Sequence, residues 1–337
     1  LLGWLLDHFP EHSVFIRHFI HLSLYEGVRN SVRGGERFRQ GRLQQALLTF
    51  YQPTIINFCF DVWATFFGMP PLEKLSVGLQ RTTNVKYRAK VSGSIRLLEY
   101  ELVYVESGSF YMGARDFDQK AQKRERPLHT VIISESMYMG SFLVTQALYQ
   151  DVMGNNPSHF RGSNFPVENI TWYDCIRFCN ALSDRENLNR VYHKKKDGEI
   201  EVRWMENGYR LPTEAEWEYC ARAGEETLYA GSNHIDDVAW HVGNSKKRSQ
   251  PVGMKKANAF GLYDMSGLVW EWCWDWGLRA YAGTQFDPYG LSAGAGRILR
   301  GGSLINTAHN ARVSNRDLFH PMGHSAYGGF RVLRKPF

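Results

Sequence analysis

Apolar residues recur at helical spacing through most of the first hundred residues. The pattern runs through "HSVFIRHFIHLSLYEGV", which starts at His12, and again between Leu43 and Phe67, with breaks at "RGGE" and "GMPP". This spacing predicts a mostly helical accessory region over residues 1–100. Its most apolar run is interrupted by polar residues and a proline, which favours a buried or interfacial helix over a membrane span.

From about Leu102 the pattern changes to short strands, turns and a few helices. "ELVYVESGSFYMG" alternates apolar and polar residues before a glycine, which is typical of a strand. Three helices are predicted further on, and their N-cap residues are Thr145, Thr171 and Thr213. Gly154 and Gly224 are expected to end the first and third of these helices. We therefore expect a second domain over residues 101–337.

The stretch "GLYDMSGLVWEWCWDW" places tryptophans at every second position from Trp270 to Trp276. Side chains alternate between the two faces of a strand, so the tryptophans share one face. We interpret this stretch as a core strand, and the alternative is an aromatic platform for a ligand.

Charge gives little support for a nucleic-acid partner. The 337 residues carry 40 Lys and Arg against 34 Asp and Glu, a formal net charge of +6. The run "KKK" at Lys194–Lys196 precedes "DG" and "EIEVRW", which predicts the exposed end of a hairpin. No zinc finger, basic helix or aromatic-spaced basic groove accompanies these charges, so we expect no nucleic-acid partner.

The five cysteines and the N-terminal histidines do not form an evident metal or disulfide framework. Cys175 and Cys179 share one face of the second helix, where we expect small buried side chains; a metal or redox pair is the alternative. The histidines are spaced four and three apart, yet lack a further His or acidic partner. We interpret these histidines as residues on a helix surface; they are His8, His12, His18 and His21.

Eight blocks in fixed order carry a family resemblance over residues 102–333. They are "GSFYMG", "ERPLHTV", "FLVTQALY", "FPVENITWYDCIRFCNALS", "YRLPTEAEWEYCARAG", "NAFGLYDMSGLVWEW", "RILRGGS" and "GGFRV". Together they resemble the formylglycine-generating-enzyme, or sulfatase-modifying-factor, family. The resemblance implies an α+β fold, an elaborated C-type-lectin-like domain with little regular secondary structure.

The enzymes of this family are expected to bind copper and oxidise a substrate cysteine through two cysteines that follow the "RGGS" block. Here no cysteine follows Cys273, and Ser or Asn cannot replace a thiolate as a soft ligand. We therefore predict no catalytic residues, no metal and no cofactor. The family's calcium site draws on an Asn where this chain has Leu268, which puts calcium in doubt. The alternative function is a metal-dependent oxidase acting on a cysteine or thiol substrate; iron-dependent relatives carry a three-His site that the histidine pairs do not reproduce.

Another branch of this fold comprises the variable proteins of diversity-generating retroelements, in which adenines of AAC-type codons are mutated. Changes in the first two bases of AAC cannot give Lys, Glu, Gln, Trp or Met. Between Leu304 and Tyr327 there is no Lys, Glu, Gln or Trp, and Met322 is the single residue outside the permitted set. An ordinary surface loop that has drifted is the alternative. The segment also holds large apolar residues that a solvated loop usually avoids.

We therefore predict a ligand-binding surface within residues 304–327. Its proposed members are Leu304, Ile305, Asn306, Thr307, His309, Asn310, Asp317, Leu318, Phe319, His320, Met322, His324, Ser325, Ala326 and Tyr327. Gly301, Gly302, Ser303, Phe330 and Val332 are predicted to anchor its ends. The predicted supports of its backbone are Arg300, Arg312, Arg316 and Arg331.

A displayed binding surface implies a location outside the cell. We expect a monomeric surface receptor that binds an unknown protein or cell-surface ligand. Its precursor is expected to carry a lipoprotein export signal, which would anchor it to the outer membrane through a lipid. These expectations rest on the resemblance alone.

Overall fold

The computed structural model describes residues 85–89, 98–196, 198–277 and 283–336. The predicted helical region, the N-terminal histidines and Cys59 lie outside the described residues, apart from a strand at Val85–Ala89 and the start of the next strand. This strand belongs to a compact unit that begins at Thr82. The sheet therefore starts before residue 101, the predicted start of the domain.

Two four-stranded sheets dominate the described part of the chain. One has the order β1-β2-β5-β15, formed by Val85–Ala89, Leu98–Val105, Met137–Gly140 and Leu333–Arg334. The other has the order β13-β12-β10-β14, formed by Arg316–Phe319, Arg297–Arg300, Trp270–Trp276 and Gly328–Gly329. Within the second sheet β12 pairs antiparallel with both β10 and β13, while β14 pairs parallel with β10. Thus β13 lies at one edge of this sheet.

Three smaller sheets contain the remaining strands of the described residues. The strands β3, β4 and β11 form a sheet of the order β11-β4-β3, from Gly108–Met112, His129–Ile133 and Gln285–Phe286. Two pairs, β6-β7 and β8-β9, comprise Tyr192–Lys194, Ile200–Val202, Ala239–Trp240 and Ser266–Gly267. The hairpin predicted at the lysine run is confirmed, because β6 and β7 pair across it.

The α-helices of the described residues are α1 at Gln146–Met153, α2 at Trp172–Arg185, α3 at Glu214–Arg222 and the short α4 at Ile235–Val238. The three predicted N-caps are confirmed: Thr145, Thr171 and Thr213 each accept a backbone N–H of the first turn. The end of α3 falls one residue earlier than predicted, since its cap is Ala223, with a φ of 48°.

Among the described residues, the strand β10 separates the two largest hydrophobic clusters. Trp272 and Trp274 pack with α1 and α2, whereas Cys273 packs with α3 and β12. The period of two in the sequence therefore reflects a strand buried on both faces, and the predicted core strand is confirmed. Cys175 and Cys179 are buried within the first cluster, as predicted.

Candidate ligand-binding surface

The segment predicted to display side chains consists of a first loop, residues 301–315, and a second loop, residues 320–327, joined by β13. It begins after β12 with a turn at Gly301 and Gly302, whose φ angles are 88° and 75°. A Cβ atom on Gly302 would lie 2.8 Å from the backbone oxygen of Asn310. Glycine is therefore required here both by the left-handed conformation and by the close approach of the first loop.

Arg300, the last residue of β12, holds the far end of the first loop from within the core. Its Nη1 donates to the backbone oxygens of Ser314, at 3.1 Å, and Asn315, and its Nη2 pairs with Glu218. Burial acts to raise the pKa of Glu218, but Arg222 and Arg300 outweigh it and hold that pKa below its ordinary value. The predicted supporting role of Arg300 is confirmed.

Arg312 lies within the first loop but points inward. It forms a bidentate pair with Glu125, with Nη2–Oε1 at 2.7 Å and Nη1–Oε2 at 2.8 Å, and it also pairs with Asp118. Its Nε donates to the backbone oxygen of His309 at 3.0 Å. Burial acts to raise the pKa of Glu125, but hydrogen bonds from Arg312, Gln122 and Ser314 hold it below its ordinary value. The loop is thereby tied to the segment 118–125.

Arg316 and Arg331 make the equivalent connections for β13 and the end of the segment. Arg316 pairs with Glu214 and donates to the backbone oxygen of Arg124 at 3.0 Å. Arg331 pairs with Glu271 through two bonds, of 2.6 and 2.9 Å, and donates to the backbone oxygen of Gly140. All four arginines predicted to support the segment are therefore buried and paired.

The backbone of both loops is also held by main-chain groups from elsewhere in the fold. In the first loop, the N–H of Val242 donates to the Asn306 oxygen at 3.0 Å. In the second loop, the N–H groups of Asn169, Trp172 and Trp270 donate to the oxygens of Ser325, Pro321 and Tyr327. None of these bonds uses a side chain of the predicted display set.

The side chains of the predicted set divide into three groups by exposure. The exposed ones are Ile305, Thr307, Leu318, Phe319, His320, Met322 and His324. The half-buried ones are Asn306, His309, Asn310, Asp317, Ser325, Ala326 and Tyr327. Leu304 is fully buried.

The inclusion of Leu304 as a displayed residue was wrong. Its backbone N–H donates to the oxygen of Leu268 at 3.0 Å, and its own oxygen accepts from the Ser245 hydroxyl at 2.7 Å. Bonds on both sides draw the residue inward, so its side chain packs inside the fold. Asn306 is also partly structural, because its Oδ1 accepts from the N–H and the hydroxyl of Ser303.

Residues of the segment 118–125 contact the predicted display set at two points. Gln122 Nε2 lies 3.1 Å from His309 Nε2, and Arg124 Nη1 lies 3.5 Å from Asp317 Oδ1. His309 belongs to the first loop and Asp317 to β13, so these neighbouring residues bring the two parts together. Burial and the charge of Arg312 lower the pKa of His309, which favours the neutral ring.

Sequence reasoning missed the residues outside 304–327 that contact the display set. Besides Gln122 and Arg124, they include Asn169, whose Oδ1 lies 2.8 Å from His324 Nδ1, and Phe160, which packs on Tyr327 with ring centroids 6.5 Å apart. Contacts between residues more than 150 positions apart leave no local pattern in the sequence. The codon argument, which concerns residues 304–327 alone, could not have identified them.

The residues at the family's metal positions do not fit the metals. No cysteine follows Cys273, and the described thiols, at Cys175, Cys179, Cys220 and Cys273, are buried with raised pKa values caused by burial. At the family's calcium position, Leu268 is fully buried and offers no side-chain oxygen. Both carboxylate oxygens of nearby Glu271 accept from Arg331.

Among the described residues, no group of three or more His, Cys, Asp or Glu side chains could hold a metal ion. Among those same residues, no helix has the length and apolar character needed to cross a membrane.

Comparison with known proteins agrees with this architecture. Treponema denticola variable protein 1, a solved structure, is 33% identical, with 76% of this chain and 100% of that chain covered and a TM-score of 0.69. The Chaperone protein LppX of Paenibacillus barcinonensis is 35% identical over 268 residues, which are 69% of this chain and 89% of that protein. The formylglycine-generating enzyme of Thermomonospora curvata is 33% identical over 180 residues, 47% of this chain and 59% of that protein.

These similarities confirm the predicted fold and the predicted resemblance to a variable protein. Residues 88–336 match the family model "Sulfatase-modifying factor enzyme 1-like domain", which is almost the whole of the described chain. The chain therefore belongs to the family of the sulfatase-modifying factor enzyme 1-like domain.

Proposed function

We propose that this chain is a non-enzymatic ligand-binding protein whose site is the exposed surface of residues 305–327. We propose further that a retroelement diversifies the side chains of that surface. The similarity to Treponema denticola variable protein 1 supports this reading, because it extends over the whole of that chain. The limited residue alphabet between Leu304 and Tyr327 supports it independently.

The proposal rests mainly on the hydrogen bonds that hold the backbone of the segment 304–327. The oxygens of Ser314 and Asn315 accept from Arg300, and those of Pro321 and Tyr327 accept from main-chain N–H groups. A side chain can therefore be exchanged at an exposed position without removing these four bonds. Such independence is what a surface needs when its residues vary but its fold must not.

The exposed side chains have the composition of a protein-binding surface. Leu318, Phe319 and Met322 are large apolar residues with 37%, 39% and 61% of their surface exposed. Phe319 rests against Trp272, with ring centroids 6.0 Å apart, so its ring is held in a defined position. Apolar and aromatic anchors beside adaptable polar groups are the usual composition of antibody paratopes and binding hot spots.

A receptor of this kind acts outside the cell. We propose that the protein is displayed at the cell surface, with a lipid on its precursor as the anchor, and that it binds as a monomer. Its partner would be a protein or another cell-surface ligand. Sequencing the upstream coding region of the gene tests the anchor, since a lipoprotein signal is expected there.

Diversification is tested by deep sequencing of this gene in clonal cultures of its source. Variation is expected at codons for exposed residues such as Ile305 and Phe319, together with a nearby reverse-transcriptase gene. A near-copy of the 3′ end should carry adenines at the same codons. Substitutions spread evenly over frame codons, such as those of Arg300 and Arg316, would contradict the proposal.

The alternative is a metal-dependent oxidase of the same family, which the similarity to formylglycine-generating enzymes favours. The chain supplies no cysteine after Cys273, so the thiolate pair of that chemistry has no counterpart after "RGGS". Copper analysis of the purified protein, together with an assay of peptide-cysteine oxidation, distinguishes the two. Stoichiometric copper with turnover would establish the oxidase and contradict the binding protein.

A further inference from the structure

The segment 118–125 contributes a cation to the edge of the displayed surface. The Arg124 side chain is 27% exposed, and its Nη1 lies 3.5 Å from Oδ1 of Asp317. This distance exceeds the 2.7–2.9 Å or so of a charge-assisted hydrogen bond, so the pair is loose. The Nε of Arg124 is buried and has no acceptor among the residues that the structure describes.

The bonds that hold the backbone at Arg124 do not involve the displayed side chains. Its backbone oxygen accepts from Arg316 at 3.0 Å, and the next residue, Glu125, is held by Arg312 and Ser314. The N–H of Gln122 donates to Oε1 of Glu125 at 3.0 Å, and the N–H of Glu125 donates to the backbone oxygen of Gln122 at 2.9 Å, across the short 3-10 helix Lys123–Glu125. The guanidinium is therefore carried by a frame that would stay unchanged when residues 305–327 vary.

The acidic groups near Arg124 leave its guanidinium accessible to a ligand carboxylate. Glu125 and Asp118 are buried and committed to Arg312, and Asp317 is the single carboxylate among the displayed residues 305–327. The side chains of Lys120, Gln122 and Lys123 on the same segment are exposed. The edge of the surface at Arg124 is thus basic, and the residues that follow Asp317 along β13 are the exposed apolar Leu318 and Phe319.

We propose that Arg124 is a fixed, specificity-determining part of the binding surface and that it selects acidic peptide segments. A ligand carboxylate would replace Asp317 at the guanidinium and could accept two hydrogen bonds from it, while apolar ligand side chains contact Leu318 and Phe319. This inference rests on the proposed function, since it names the partner chemistry of the same site.

The test selects peptides from a phage-displayed random library on the full chain and on its Arg124→Gln variant. Peptides selected on the unchanged chain should be enriched in Asp and Glu, and those selected on the variant should not. The best acidic peptide should bind the variant roughly tenfold or more weakly. Arg190→Gln, which removes the same charge from an exposed pair with Asp184, should leave binding unchanged.

A second variant makes the test independent of any change in folding at Arg124. Asp317→Asn removes the carboxylate that competes with the peptide for Arg124. It should therefore strengthen binding of the acidic peptide when Arg124 is present, but not when it is combined with Arg124→Gln. The strengthening should diminish at high ionic strength. Thermal melting of each variant reports whether the fold is retained.

The outcomes separate the two proposals. Peptides that bind through Leu318 and Phe319 but show no acidic enrichment, or no dependence on Arg124, overturn this inference and leave the proposed function intact. Peptides that bind equally well after Leu318→Ser and Phe319→Ser contradict the proposed function and this inference together. A selection that yields no binder also counts against the inference, because it commits to a peptide segment.

Discussion

At the scale of single residues, buried ion pairs hold the displayed loops in place. Arg312 shows the principle, since it neutralises Glu125 and Asp118 inside the fold and also binds the His309 oxygen. A buried pair is weak evidence of net stability, but removing one partner leaves a charge that is expensive to bury. The arrangement therefore fixes loop geometry and makes the arginine hard to replace.

We predict that Arg312→Met lowers the free energy of unfolding by about 3–5 kcal/mol, because Glu125 and Asp118 lose their cation. Urea unfolding at neutral pH measures this change. The control is Arg190→Met, whose exposed pair with Asp184 should contribute less than about 1 kcal/mol. Equal losses in the two variants would mean that the ion pairs of Arg312 do not hold the first loop in place.

Glu168 gives a prediction about pH. Its side chain is buried beside the second loop, one oxygen accepts from the Phe160 N–H at 2.8 Å, and the other has no partner among the described residues. Burial raises the pKa of Glu168 from 4.5 to about 7. The folded state therefore keeps a proton that the unfolded chain loses, so this contribution to stability is present at low pH and is lost as the pH rises through that window.

We expect Glu168→Gln to reduce the loss of unfolding free energy between about pH 5 and about pH 8, by on the order of 1 kcal/mol. The neutral amide removes the titration while keeping the size of the side chain. Urea unfolding at the two pH values measures it, with exposed Glu201→Gln as the control. An unchanged pH dependence in the Glu168 variant would show that the carboxyl is already ionised in the folded protein.

Residue-scale prediction from the sequence was good where chemistry restricts the choice. Arginines that frame an aperiodic loop have few roles other than holding its carbonyls, and all four predicted ones are buried and paired. Leu304 was misassigned because the codon argument concerns which residues are permitted, while burial depends on where the backbone bonds direct the side chain. Arg124 was missed because its contact with Asp317 joins residues distant in the sequence.

At the scale of elements, the turn between β12 and the first loop depends on glycine. We predict that Gly302→Ala destabilises the protein more than Gly154→Ala does. Both positions have positive φ, so each Ala is expected to cost about 1–2 kcal/mol in the left-handed conformation. Only Gly302 also faces backbone atoms, at 2.8 Å, whereas nothing lies within 4 Å of the new Cβ at Gly154. Thermal melting should rank the variants in this order, and the reverse order would place the strain elsewhere.

The strand β10 and helix α2 meet the end of the displayed segment at Phe330. Its ring is fully buried and packs edge-on against Phe178, with centroids 5.2 Å apart. Phe330→Ala should leave a cavity and lower the free energy of unfolding by about 3–5 kcal/mol. By comparison, Phe319→Ala on the exposed edge should cost far less. Similar losses measured by urea unfolding would mean that Phe330 is not a core residue or that Phe319 is not a surface residue.

Elements with strong local signals could be predicted from the sequence. The capping threonines of α1, α2 and α3 and the alternating tryptophans of β10 are local patterns, and the structure confirms them. Strands of two residues, such as β14 and β15, carry no period to detect. The strand β1 was also missed, because it is defined by its pairing with β2 rather than by its own pattern.

At the scale of the whole described part of the molecule, we propose that a lectin-like frame carries a surface whose side chains contribute little to the fold. The four buried arginines connect the C-terminal segment to α3, β10 and the segment 118–125. The order of the family blocks was sufficient to predict this fold from the sequence. The shape of the surface was not predictable, because two loops and a distant segment meet there only after folding.

The most direct test of this central claim compares two randomised libraries of the full chain by protease resistance and deep sequencing. One varies the exposed residues Ile305, Thr307, Leu318, Phe319, His320, Met322 and His324, and the other varies buried residues of the same segment, Leu304, Ala311, Arg312, Val313, Ser314, Asn315 and Arg316. Most members of the first library should fold, since exposed changes are usually within about 0.5 kcal/mol each. Few members of the second library should fold. Equal folded fractions in the two libraries would mean that the exposed residues are as important to the fold as the buried ones, contrary to our proposal.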